Sequence, residues 1–200
     1  MVEMSTNTTN TATMTIILML SGWAGSGKDA VASLLNDEFD FHRFAFADPL
    51  KRDVACFTGL PLEFFQTYLK DVPLSAGGAT PRSLLIEHAA EVRAGDPDVY
   101  AMRIVEGIRL SKQRRIVLSD WRYVNEYAVI RTAFPEATVV RVRVMRPAII
   151  PGPDPSEHEL DDHPMDVYIH NSSTISMLRS TLKDTVRPYI FGLSLKIDGS

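Results

Sequence analysis

The stretch Thr15–Phe39, TIILMLSGWAGSGKDAVASLLNDEF, decides how this chain folds. Its first six residues, Thr15–Leu20, are an unbroken apolar run, which predicts a strand buried on both faces. Lys28–Phe39 sets Val31, Leu34 and Leu35 at helical spacing. Between the two, Gly22, Trp23, Ala24, Gly25, Ser26, Gly27 and Lys28 fit the pattern G-x-x-x-x-G-K. Strand, glycine-rich turn and helix in this order make a cradle for phosphate. Backbone N–H groups turn inward, the helix N-terminus adds positive potential, and Lys28 reaches the outer phosphates. The plainer alternative is a glycine-rich turn with no ligand. Asp29 stands where Ser or Thr would give Mg²⁺ a hydroxyl. A carboxylate is also a hard oxygen ligand, so Asp29 is a candidate for the metal, directly or through water.

Outward from this stretch, short apolar runs alternate with helical patterns. Phe41–Ala47 reads as a second strand. Asp48-Pro49 follows as a cap and first-turn proline of a helix. Thr58–Thr80 reads as one helix flanked by loops, and Thr80-Pro81 opens another to about Arg93. Asp98–Lys112 is helical, Arg115–Ser119 a strand, Val124–Phe134 helical, Ala137–Met145 a strand, Val167–His170 a short strand and Ser172–Val186 a last helix. This alternation predicts an α/β fold, a parallel sheet covered on both faces. Residues 1–13, rich in Ser, Thr and Asn, read as a disordered tail. Pro147–Pro164 carries five prolines and five acids and reads as a solvated loop.

The composition narrows the classes. The chain has 200 residues, of which 45% are hydrophobic and 23% charged, enough for one packed domain. Its single cysteine, Cys56, excludes an internal disulfide and a multi-cysteine zinc site. Cys56 reads as a buried or half-buried helix residue. A net charge of −4 argues against a broad nucleic-acid-coating surface. No apolar run approaches the ~18–20 residues that span a bilayer, and no basic start marks a secretory signal. A cytoplasmic protein is expected.

Further candidates lie at strand ends. Asp120 ends the run RIVLSD, where a carboxylate faces the same crevice as the phosphate loop; it holds Mg²⁺ water, accepts a proton, or caps a helix. Arg122, Asn125 and Glu126 concentrate charge beside it. Arg141 and Arg143 alternate with valines, so their strand has a basic face, exposed or aimed at phosphate. Arg146 opens the proline-rich loop as a cation suited to close over a phosphoryl group.

The segments SGWAGSGKDA (21–30), FADPLK (46–51), TPRSLLIEHAAEVRAGDPDVY (80–100), VLSDWRYVNE (117–126) and DVYIHNSSTISMLRSTL (166–182) stand in this order. In that order the chain resembles the deoxynucleoside monophosphate kinases of tailed bacteriophages, within the P-loop nucleoside monophosphate kinase-like group. The resemblance runs from about Thr15 to Val186, and a GKD ending of the loop is itself familiar from such kinases.

It implies a three-layer P-loop kinase over residues 14–200, with a helical substrate-binding insert at 58–113 and a lid at 146–165. ATP and Mg²⁺ would be held by the 22–29 loop, with Arg146 and Asn171 on the ATP side. Asp29 and Asp120 would be the metal ligands. Lys28, Asp120 and Arg122 would be catalytic. Asp48, Lys51, Arg82, Arg93, Asn125 and Glu126 would bind or support the acceptor. Glu87-His88 stands about where the first insert helix usually carries a Gln-Gly-type sequence, which leaves the base preference open.

The partner expected is a small-molecule nucleotide, in the cytoplasm of a host if the chain is phage-encoded. No membrane is expected, and a homodimer is left open. One alternative is a kinase of another acceptor, since GKD with a late D-x-x-x-x-N segment also resembles dephospho-coenzyme A and phosphomevalonate kinases. A variant of it phosphorylates hydroxymethyluracil in DNA and needs a basic face, for which Arg103, Arg109, Lys112, Arg114 and Arg115 are candidates. Another alternative is a non-catalytic nucleotide-binding switch.

Overall fold

A computed structural model describes residues 14–147 and 149–190; the expected N-terminal tail lies outside them. Five strands form one parallel sheet: β1 (Ile16–Ser21), β2 (His42–Phe44), β3 (Arg115–Leu118), β4 (Thr138–Met145) and β5 (Val167–His170), in the order β2-β3-β1-β4-β5. The central strand β1 is buried along its whole length, as a continuous apolar run between two helical layers requires.

Alternate residues of β1 feed two cores. Ile16, Leu18 and Leu20 pack with α1 (Lys28–Phe39) and α7 (Ile175–Ile190). Ile17 and Met19 pack with α5 (Val99–Ser111) and α6 (Val124–Ala133). The result is the three-layer α/β/α arrangement expected.

The remaining helices, α2 (Ala47–Thr58), α3 (Glu63–Gln66) and α4 (Pro81–Gly95), lie between β2 and α5 in sequence. Thr58–Thr80 is not one helix but the single turn α3 and a 3₁₀ turn, Tyr68–Asp71. Thr67, extended at φ −108° and ψ −169°, separates the two turns, and Pro61 and Pro73 flank them. Helix α4 starts as expected: the Thr80 hydroxyl accepts from the Ser83 amide at 3.1 Å, and the Ser83 hydroxyl accepts from the Thr80 amide at 3.1 Å.

Three expectations are corrected. Asp48 is not the cap of α2; it lies inside the first turn, paired with Arg43 at 3.3 Å and Lys51 at 3.5 Å. Cys56 is exposed, because α2 turns that face away from its neighbours. The 147–164 stretch is not merely a solvated loop. Leu160 is 2% exposed within the core on the α5–α6 face, and the ring of His163 meets Trp121 edge-on at 5.3 Å.

Ile17→Ala and Leu18→Ala each delete a fully buried side chain from an opposite core. Each is expected to cost about 2–5 kcal/mol in urea unfolding, whereas Ile86→Ala, at a residue 53% exposed, stays below about 1 kcal/mol. Equal losses at all three positions would mean that β1 does not separate two packed layers.

Candidate phosphate-binding site

The site begins where β1 ends. Gly22, Gly25 and Gly27 have φ of 140°, 79° and 100°, values that L side chains rarely adopt. Two of them are also closed sterically. A Cβ on Gly22 would lie 2.3 Å from the Val144 carbonyl, and one on Gly27 would lie 2.2 Å from the Asn171 amide nitrogen. Lys28 Nζ folds back over the loop and donates to the carbonyls of Gly22 (2.6 Å) and Trp23 (3.0 Å). Burial, then the nearby charge of Arg122, lowers its pKa to about 8. The Ser26 hydroxyl is buried in the loop with no partner among the described residues. An unpartnered hydroxyl, glycines at positive φ and a cation bonded only to carbonyls together fit a phosphate group.

Parallel register brings the second element here. Met19 lies opposite Leu118, so Asp120 stands beside the start of the loop, and the Trp121 amide donates to the Leu20 carbonyl at 3.0 Å. On the other side Phe44 also lies opposite Leu118. The same two-residue step places Phe46 and Ala47 at Asp120, whose carboxylate accepts their amides at 2.7 and 2.9 Å. Asp120 therefore does cap a helix, but it is α2, reached across the sheet. Burial raises its pKa, and the two amides oppose that. Asp29 extends outward, with a side chain 89% exposed and Arg43 at 3.9 Å. Asp29 follows the loop directly and Asp120 stands beside its start, and no cluster of three metal-type side chains exists among the described residues. A cation held largely by phosphate oxygens and water needs no such cluster.

Glu126, expected at the acceptor, is 1% exposed and acts as a hub. One carboxylate oxygen accepts from Arg93 at 3.0 Å; the other accepts from the amides of Arg122 (3.0 Å) and Tyr123 (3.1 Å). Arg93 also lies over the Tyr123 ring, 3.9 Å from its centroid. Asn125 binds the Pro97 carbonyl at 2.9 Å and Asp98 at 2.7 Å, which ties α6 to the corner between α4 and α5. Arg122 itself donates to the Ser156 hydroxyl at 3.0 Å.

Arg82, in the first turn of α4, forks onto Asp71 and also feels the charges of Glu157 and Asp154. Lys51 stays with Asp48. Arg146 is exposed at the end of β4. Asn171 donates to the Ser26 carbonyl at 2.9 Å, so it braces the loop from behind. Arg141 is held by Asp166. Arg143 binds the Ser21 hydroxyl at 2.9 Å and the carboxylate of Asp161.

Sequence reasoning missed Ser156, Glu157 and Asp161. Their only signal was the acidity of the loop, which says nothing of where each acid lands.

No family model and no curated protein matches this chain. Among solved structures, dephospho-CoA kinase from Campylobacter jejuni superposes with a TM-score of 0.52 at 11% identity, over 89% of this chain and 98% of that one. TT1252 from Thermus thermophilus superposes with a TM-score of 0.50 at 15% identity, over 91% of this chain and 100% of that one. The chain has the P-loop kinase fold. The glycine loop and the Asp120–Arg122 turn follow the C-terminal ends of the neighbouring strands β1 and β3, at the same edge of the sheet.

Burial raises the Glu126 pKa to about 7, against the pull of the Arg122 amide and Arg93. A carboxyl whose pKa is higher folded than unfolded stabilises the fold at low pH and loses that contribution as pH rises through the folded value. Wild type is therefore expected to lose up to about 3 kcal/mol relative to Glu126→Gln between pH 4.5 and 7.5. Parallel stability–pH curves for the two proteins would place the titrating group elsewhere.

Proposed function

We propose that this protein is an ATP-dependent kinase that transfers the γ-phosphoryl group to the phosphate of a deoxynucleoside 5′-monophosphate, releasing ADP and the diphosphate. The supporting observation is electrostatic convergence. Lys28 lies in the fields of Arg122, Asp120 and Glu157, and Arg82 lies in the field of that same Glu157. In this reading cations from the loop, the DWR turn and α4 face one crevice, as needed where two polyanions must meet.

In this reading the 22–28 loop binds the β- and γ-phosphates through its amides and Lys28. Arg82 grips the acceptor phosphate through its planar fork. Arg122 neutralises charge on the group in transit, and Arg93 borders the acceptor, held in place by Glu126. Asp29 and Asp120 would hold Mg²⁺, which when bound neutralises phosphate charge. Asp48 and Lys51 line the acceptor side through α2, and Arg146 and Asn171 border the ATP side. Residues 58–113 serve as the acceptor-binding insert and 146–165 as the lid that limits water access.

The choice of a deoxynucleotide rests on the ordered segments that resemble the phage kinases. The likeness in fold to a dephospho-CoA kinase keeps a different small acceptor as the second reading. The DNA-kinase alternative loses support from position. Arg109 donates to the Ala133 carbonyl at the end of α6, and Arg115 donates to the Phe39 carbonyl at the end of α1. Both lie at the edge of the sheet opposite the phosphate loop, since Arg115 begins the strand that Asp120 follows.

Incubation with ATP–Mg²⁺ and a panel of the four deoxynucleoside monophosphates, dephospho-coenzyme A and hydroxymethyluracil DNA tests the reading through ADP release. Turnover on a free monophosphate is expected; turnover only on another acceptor would replace the substrate, and silence across the panel would overturn the kinase reading. Lys28→Ala should lower kcat by about 10²–10³-fold. Arg82→Ala should raise the acceptor KM roughly tenfold or more with little change for ATP; a change confined to ATP would move Arg82 to the nucleotide side.

A further inference from the structure

The stretch from Gly152 to Asp161 lies across the phosphate loop and is fastened to it by its own acids. One oxygen of Glu157 accepts from the Ala24 amide of the loop at 3.4 Å and from the Gly152 amide at 3.2 Å. Its negative charge acts on both Lys28 and Arg82. Next to it, Ser156 holds the Arg122 guanidinium. Asp161 secures the stretch by accepting from the Trp23 indole at 3.0 Å, from Arg143, and from His158 at 2.9 Å. Glu159 takes the Val124 amide at 3.0 Å.

A carboxylate bonded to a phosphate-loop amide, in the field of the loop lysine and of a second arginine, has the surroundings that suit a phosphate. We infer that Glu157 is an internal phosphate surrogate, a carboxylate that competes with the nucleotide for the 22–28 loop and so sets its affinity. This rests on the phosphate-binding reading of that loop.

The thermodynamic consequence is a conformational tax on binding: the apparent dissociation constant equals the intrinsic one divided by the fraction of molecules whose loop is free of Glu157. A triphosphate brings more charge and more acceptor oxygens than one carboxylate, so it displaces Glu157. A ligand with a single weak anionic group does not. The Trp23 indole lies in the same loop, bonded to Asp161, and Trp23 is one of two tryptophans. The other, Trp121, is 1% exposed and its ring meets His163 at 5.3 Å, so tryptophan emission reports on both ends of the stretch.

The experiment titrates the full chain with ATP and, separately, with inorganic tripolyphosphate, following tryptophan emission and heat. It compares wild type with Glu157→Gln, which keeps the size and removes the charge. The substitution is expected to tighten both ligands roughly tenfold, with the emission change on binding preserved. Unchanged or weaker binding by Glu157→Gln would overturn the competition while leaving the loop a phosphate site. Absence of binding by both proteins would overturn the phosphate-loop reading and this inference with it. Glu157→Ala serves as a second variant and should shift affinity in the same direction, because it also removes the charge.

Discussion

The ammonium of Lys28 is held by two backbone carbonyls and, among the described residues, by no carboxylate. Burial lowers its pKa from 10.5 to about 8, so keeping it charged at neutral pH costs the fold on the order of 3 kcal/mol. That cost disappears only as pH rises from about 8 past 10.5, where the unfolded chain also loses the proton. A protein keeps such a charge where a ligand will answer it. Much of the surrounding architecture prevents a resident acid from neutralising the lysine outright. Asp29 turns outward toward Arg43, and Asp120 gives both oxygens to the amides of α2.

The acids near the crevice divide by what they bind. Asp120 and Glu126 are turned inward and accept backbone amides, which serve as donors that need no side-chain ordering. Each joins segments distant in sequence: Asp120 joins β3 to the start of α2, and Glu126 joins the DWR turn to the last turn of α4. Glu157 and Asp161 come from a loop and bind groups that a nucleotide would also use or disturb. The first pair therefore fixes the crevice, and the second pair covers it.

This division also marks what the sequence made legible. The strand, glycine turn and helix of residues 15–39 carry their own instructions, because apolar runs, helical spacing and glycines act locally. The Thr80–Ser83 cap is local in the same way. The partner of Asp120 lies 74 residues away, set by the register of two parallel strands, and no spacing in the sequence encodes it. The 147–164 loop misled for a related reason. Prolines and like charges argue against packing on average, yet Leu160 is buried in the core, and Glu157, Glu159 and Asp161 each meet a donor from elsewhere in the fold. Asp48 followed by proline has the composition of a cap, but Asp120 already occupied that position in space.

Helix α4 shows how the two kinds of contact divide one element. Of its fifteen residues only Pro81 is buried, so apolar packing holds it weakly compared with α5, which buries five. Its ends differ. At the C-terminal end Arg93 is clamped between the buried carboxylate of Glu126 and the face of Tyr123. At the N-terminal end Arg82 holds Asp71, an exposed and solvent-screened pair. A phosphate offers Arg82 a stronger bidentate partner than that carboxylate does. The element that carries two candidate acceptor contacts is therefore rigid where it meets the core and weakly held where a substrate would arrive. On the proposed reading, acceptor binding would cost only the exchange of Asp71 for phosphate, without dismantling the hub at Glu126.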